Sequence, residues 1–81
     1  MAGTGGSTLP YGKGSALWDY WIKKAPQVAA HKHKWTWLHA QILKALLKGG
    51  VANAEHIAQG LTTNLLQAMG YHQVNREWVR V

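Results

Sequence analysis

Apolar residues fall at helical spacing in three separate stretches of this chain. In the first, Leu17, Trp18, Trp21, Ile22 and Ala25 form one stripe. Ser15 stands before it as an N-cap, Asp19 lies in the first turn and Lys23 and Lys24 lie in the last, each where the helix dipole favours its charge. Pro26 stops the helix, because the residue before a proline avoids helical dihedrals. The pattern predicts a helix over 16–24. Gln27 to Ala30 leaves room for one more turn, with Pro26 at its first position. The run His31-Lys32-His33-Lys34 that follows reads as a polar loop.

Thr36 caps the second stretch, in which Leu38, Ile42, Leu43, Ala45, Leu46 and Leu47 trace a buried stripe and Gln41, Lys44 and Lys48 fall elsewhere. Gly49-Gly50 ends it, predicting a helix over 37–48. Asn53 caps the third, with Glu55 just inside. There Ala54, Ile57, Ala58, Leu61, Leu65, Ala68 and Met69 keep one face up to Gly70, predicting a helix over 54–69. Gly60 lies off that face. A break there would instead give a helix-turn-helix, presenting Thr62, Thr63, Asn64 and Gln67 as base readers; the continuous stripe favours one helix. From Tyr71 to Val81 the chain reads as an extended tail or short edge strand, with Trp78 docked on the helices. Trp78-Val79-Arg80-Val81 has strand-forming residues but no evident second strand.

The expected fold is therefore an all-α, three-helix domain over 15–81, with a core of Leu17, Trp21, Trp35, Leu38, Ile42, Leu46, Ile57, Leu61, Leu65 and Met69. The Gly-rich stretch 1–14 offers little to bury beyond Leu9 and Tyr11 and reads as a disordered arm. The foldable part, 15–81 of an 81-residue chain, is near the lower size limit for a lone hydrophobic core. It has five Trp and no Phe or Cys, so disulfides and thiolate metal sites are excluded, and a few indoles can supply most of the core. No apolar run is long enough to predict a membrane span.

Three segments carry a resemblance: Leu17-Trp18-Asp19-Tyr20-Trp21, then His33-Lys34-Trp35-Thr36-x-Leu38, then Ala58-x-Gly60-Leu61-x-Thr63-Asn64 with Met69-Gly70. Together they resemble a group of small proteins from tailed phages of actinobacteria, encoded among virion structure and assembly genes. The resemblance spans residues 12–71. It departs at Lys34, where the group usually has proline, and over Tyr71 to Val81. It implies phage origin and a place of action in the host cytoplasm or the virion. It supplies no catalytic residue.

Charge narrows the chemistry. Nine Lys and Arg stand against three acids, a net +6, which favours anionic partners. The acids are Asp19, Glu55 and Glu77; the first two have ordinary places in helix first turns, and the serines Ser7 and Ser15 lie in the arm and at a cap. That is poor material for paired-carboxylate or Ser-His-acid catalysis, so a non-enzymatic binding module without cofactor is expected. His31 and His33 are interleaved with lysines that oppose a cation, and His39, His56 and His72 are scattered, so no metal site is expected. Lys23, Lys24, Lys32 and Lys34 cluster in sequence beside Trp35 and Trp37. With Lys44 they are the expected nucleic-acid-binding residues, Trp37 serving as a base stacker. Lys13, Lys48, Arg76 and Arg80 add to the field. The alternative is a protein-interaction factor, a virion component, host-protein binder or homodimer, using the Trp-rich surface of the first helix. A membrane-surface role for the second helix ranks below both, since a core-facing helix has the same pattern.

Overall fold

The chain leaves its Gly-rich start through a turn in which the Ser15 N–H donates to the Gly12 carbonyl at 3.0 Å. The structure, a computed structural model, describes residues 11–80. Residues 1–10 of the expected disordered arm, 1–14, lie outside the described residues; residues 11–14 run through turns, and Tyr11 is half-buried against the core.

Helix α1 spans Ala16–Lys23, with the Ser15 hydroxyl accepting from the Trp18 N–H at 3.2 Å, as the cap chemistry requires. After a joint at Lys24 a five-residue helix, α2, runs Ala25–Ala29 with Pro26 in its first turn. Its Val28 is fully buried, which secures a segment too short to be helical on its own. Helix α3 spans Lys34–Lys48 and so starts three residues before the expected position 37. Thr36 is not its cap; His33 occupies that position and its side chain makes no capping bond. The earlier start seats Trp35 on the next helix, where its indole N–H donates to the Thr63 hydroxyl at 3.0 Å. This packing outweighs a cap worth about 1 kcal/mol. Gly50, at φ +70°, and a Val51 N–H bonded to the Leu46 carbonyl close α3 with a Schellman motif.

Helix α4 spans Ala54–Ala68 without interruption at Gly60, so the helix-turn-helix alternative is excluded. Thr62, one of its supposed base readers, is fully buried and its hydroxyl donates back to the Ala58 carbonyl at 2.6 Å. Asn53 precedes α4 in the left-handed region and makes no side-chain capping bond, contrary to its expected role.

The C-terminal segment is the main departure from an all-α fold. Strand β1 (Tyr71–Val74) pairs antiparallel with β2 (Glu77–Arg80), with Tyr71 opposite Arg80 and Val74 opposite Glu77. The two-residue loop Asn75-Arg76 has φ of 51° and 69°, the positive values that a type I′ turn demands. A two-stranded hairpin is marginal alone in water. Here Tyr71, 4% exposed, anchors it to the core, and β1 lies against α4.

Of the expected core, Trp21, Leu38, Ile42, Leu46, Leu61 and Leu65 are buried, while Leu17, Trp35, Ile57 and Met69 pack half-buried at its edge. Trp18 takes the inner position instead of Leu17, joined by Val28, Ala54, Ala58, Leu66 and Tyr71. On α3, Leu47 points outward with Ala45.

Candidate functional site

Three lengths of chain converge beside the start of α3: Lys32 to Thr36, Thr63 of α4, and the hairpin. Between them lies a groove of about 710 Å³, lined by the basic residues Lys32, Lys34 and Arg76, by Trp35 and Trp78, and by His33, Thr36, Thr63, Gln73 and Glu77. Each wall has a local cause. Register places Gln73 opposite Trp78 on one face of the hairpin, and the I′ turn brings Arg76 to its tip. On the other wall, α3 begins with neither a side-chain cap nor an acid in its first turn. The positive end of its dipole therefore adds to the field of the lysines instead of being neutralised.

The individual side chains are held to different degrees. Lys34 is half-buried; its ammonium donates to the His31 carbonyl at 3.0 Å and lies 5.7 Å from the centre of the Tyr71 ring. That tether restrains the Lys34 side chain, its ammonium held between the His31 carbonyl and the Tyr71 ring. Lys32, Arg76 and Glu77 are exposed. Trp35 is fixed by its bond to Thr63 and by His39, whose ring stacks on it at 4.7 Å and 9°. The lining thus includes three basic residues, one acidic residue and two tryptophans. A second recess, about 430 Å³, is lined by Tyr11, Leu17, Leu46, Val51 and small neighbours, with no charged residue in its lining among the described residues.

Only part of the expected site is assembled. Lys32 and Lys34 share the groove, but Lys23, Lys24 and Lys44 do not line it. Lys24 lies over the Tyr20 ring at 5.1 Å, a cation–π contact on α1, and Lys44 is exposed on the middle of α3. Trp37 is not a groove residue either. One face is covered by the His31 ring at 3.8 Å and 16°, and Trp21 meets it edge-on at 5.7 Å. A ring so enclosed on that face has no room there for a base. Trp35 and Trp78 line the groove in its place, Trp35 with one face already taken by His39.

Comparison of the chain with models of protein families, with curated proteins and with solved structures returned no match. The site's own chemistry is therefore the ground for a functional reading.

Of the other groove residues, Gln73 and Trp78 were not selected from the sequence as binding residues, Arg76 entered only as part of the general field, and Thr63 only as a base reader of the excluded helix-turn-helix. Arg76 and Trp78 were visible as charge and aromatic but had no partner strand to place them. The Trp-rich face of α1 offered as a protein interface is closed: Trp18 and Trp21 are 8% and 6% exposed. Among the described residues no group of His, Asp or Glu is placed to hold a metal ion, and no helix is long and apolar enough to cross a membrane.

Proposed function

We propose that this protein is a non-enzymatic binding module that holds a single-stranded nucleic acid in the groove between the start of α3 and the hairpin, in the phage setting that its Trp-rich segments suggest. The observation that carries this reading is the meeting of Lys32, Lys34 and Arg76 with Trp35 and Trp78 in one concavity. Cations that track phosphates and rings that meet base faces are the two ingredients of sequence-tolerant single-strand binding. A concave site suits a single strand better than a duplex, whose major groove takes a protruding helix or ribbon. The uncapped start of α3 adds N–H donors on the same side.

The test is a gel-shift titration with single-stranded DNA at about 50 mM salt, where phosphate contacts are strong. The wild type forms a complex; K32A/K34A/R76A loses most of it, and K23A/K24A/K44A keeps it. Equal losses in the two triple variants would mean that diffuse charge, not the groove, does the binding. A second reading, protein–protein contact, draws on Val74 and Val79, which are 52% and 44% exposed on the hairpin. A dimer in sedimentation that ignores salt and is broken by V79K supports it.

A further inference from the structure

The hairpin carries into the groove a neutral polar side chain that phosphate contacts leave unused. Side chains alternate along a strand, so Tyr71 and Gln73 of β1 share one face with Trp78 and Arg80 of β2, while His72, Val74, Glu77 and Val79 take the other. Tyr71 is buried in the core, which turns the first face inward. Further along that face Gln73 is exposed, Trp78 opposite it is half-buried, and both line the groove. In a two-residue hairpin the pair that closes the turn, here Val74 with Glu77, is the hydrogen-bonded kind. Gln73 and Trp78 are therefore the non-hydrogen-bonded kind, whose side chains stand closest, with Cβ atoms about 4.5–5.5 Å apart. Resting on the single-strand reading above, we infer that Gln73 contacts the edge of the base that meets Trp78, and that it lets the site accept every base.

An amide presents a donor NH2 beside an acceptor carbonyl. In a single strand the Watson–Crick edges of the bases are uncovered and available for readout. Every base offers a matching pair there: the amino group and ring nitrogen of adenine or cytosine, the ring N–H and a carbonyl oxygen of guanine, thymine or uracil. By turning its amide over, Gln73 makes two hydrogen bonds with any of them. It adds affinity without choosing a sequence. It also separates a nucleic acid from a bare chain of phosphates, which Lys32, Lys34 and Arg76 alone do not. The side chain is solvated when free, so the gain is that of exchanged neutral hydrogen bonds, a factor of roughly three to ten. A carboxylate at the same place only accepts. It matches guanine, whose N1–H and N2 amino group are adjacent donors, and meets thymine, with one N–H between two carbonyl oxygens, with like partial charge. Position 73 is thus where a preference among bases can be written into the site.

The experiment is fluorescence anisotropy with labelled strands of one length: all-thymine, alternating thymine–guanine, and an abasic strand that keeps the sugar–phosphate chain. Q73A weakens binding of both base-bearing strands by roughly threefold to tenfold and leaves the abasic strand unchanged. Q73E weakens all three through its charge and raises the guanine-to-thymine affinity ratio about tenfold over that of the wild type. Comparing ratios cancels the different stacking of the two bases. Gln73 is exposed, and circular dichroism and thermal melting verify that both variants keep the wild-type fold. If Q73A weakens the abasic strand as much as the others, or weakens none, or if Q73E leaves the ratio unchanged, the base-edge role is overturned while nucleic-acid binding stands. If the wild type binds no strand at all, the single-strand reading falls and this inference falls with it.

Discussion

Arg76 occupies a backbone position that its side chain disfavours, and that makes R76G informative. Its φ is 69°, in the left-handed region, and the preceding Asn75 is at 51°. An L-residue pays roughly 1–2 kcal/mol there, Asn somewhat less because its short side chain is tolerated. Glycine removes that strain and converts the turn to Asn-Gly, the favoured type I′ pair. Against this stands the extra freedom glycine has in the unfolded chain, roughly 0.5–1 kcal/mol. The net gain is about 0.5–1 kcal/mol, which for a domain this small raises Tm by roughly 2–8 °C. The same substitution removes one of the groove's three cations, so the slope of log K against log[salt] for a single strand shrinks by ~0.7. Stability and binding therefore move in opposite directions. R76K separates them, keeping both the strain and the charge: its Tm stays near the wild type and its salt slope is retained. Differential scanning calorimetry and an anisotropy titration read the two effects. A Tm for R76G at or below that of the wild type would refute the turn argument. An unchanged salt slope would remove Arg76 from the binding surface.

Three further substitutions test the scaffold behind the groove. Gly70 joins α4 to β1 at φ +98°, and a Cβ there meets only the Arg80 side chain at 3.7 Å, so the cost of G70A is backbone strain of roughly 1–2 kcal/mol, read by urea denaturation. T63V deletes the acceptor of the Trp35 indole N–H at nearly constant volume; it lowers stability by about 1 kcal/mol and shifts the Trp emission, since the ring is no longer fixed to α4. L38A empties a site that is wholly buried on α3 and costs roughly 2–5 kcal/mol, enough to leave the domain near its unfolding threshold at 25 °C in circular dichroism melts.

The helical part of this fold was legible where apolar period and caps agreed. The stripe from Ala54 to Met69 predicted α4 through Gly60 because Leu61 and Leu65 continue the face that Ile57 and Ala58 begin, and burial of Leu61 and Leu65 offsets the propensity cost of one glycine. Where local chemistry and tertiary packing pulled apart, packing won: α3 overrides the cap at Thr36 in order to seat Trp35 against Thr63. The hairpin was hidden because its turn is Asn75-Arg76. The residue expected second in such a turn is glycine, so Tyr71 to Val74 had no visible partner. That omission cost four of the ten groove residues. Lys32 and Lys34 could be chosen from charge and neighbouring Trp alone. Arg76, Trp78 and Gln73 reach the groove only through strand register, which a linear charge cluster does not encode. Lys23 and Lys24 were selected by proximity in sequence, but they stand at the end of α1, before α2, and do not line the groove.

The central claim is that three cations in one groove hold a phosphate chain, and its most direct test is the salt dependence of single-strand binding in wild type and K32A/R76A. For the wild type, log K falls linearly with log[salt], with a slope of about −2 from three phosphate contacts, reduced to about −0.7 in the double variant. A wild-type affinity that does not change with salt, or a slope that survives removal of both side chains, would contradict it.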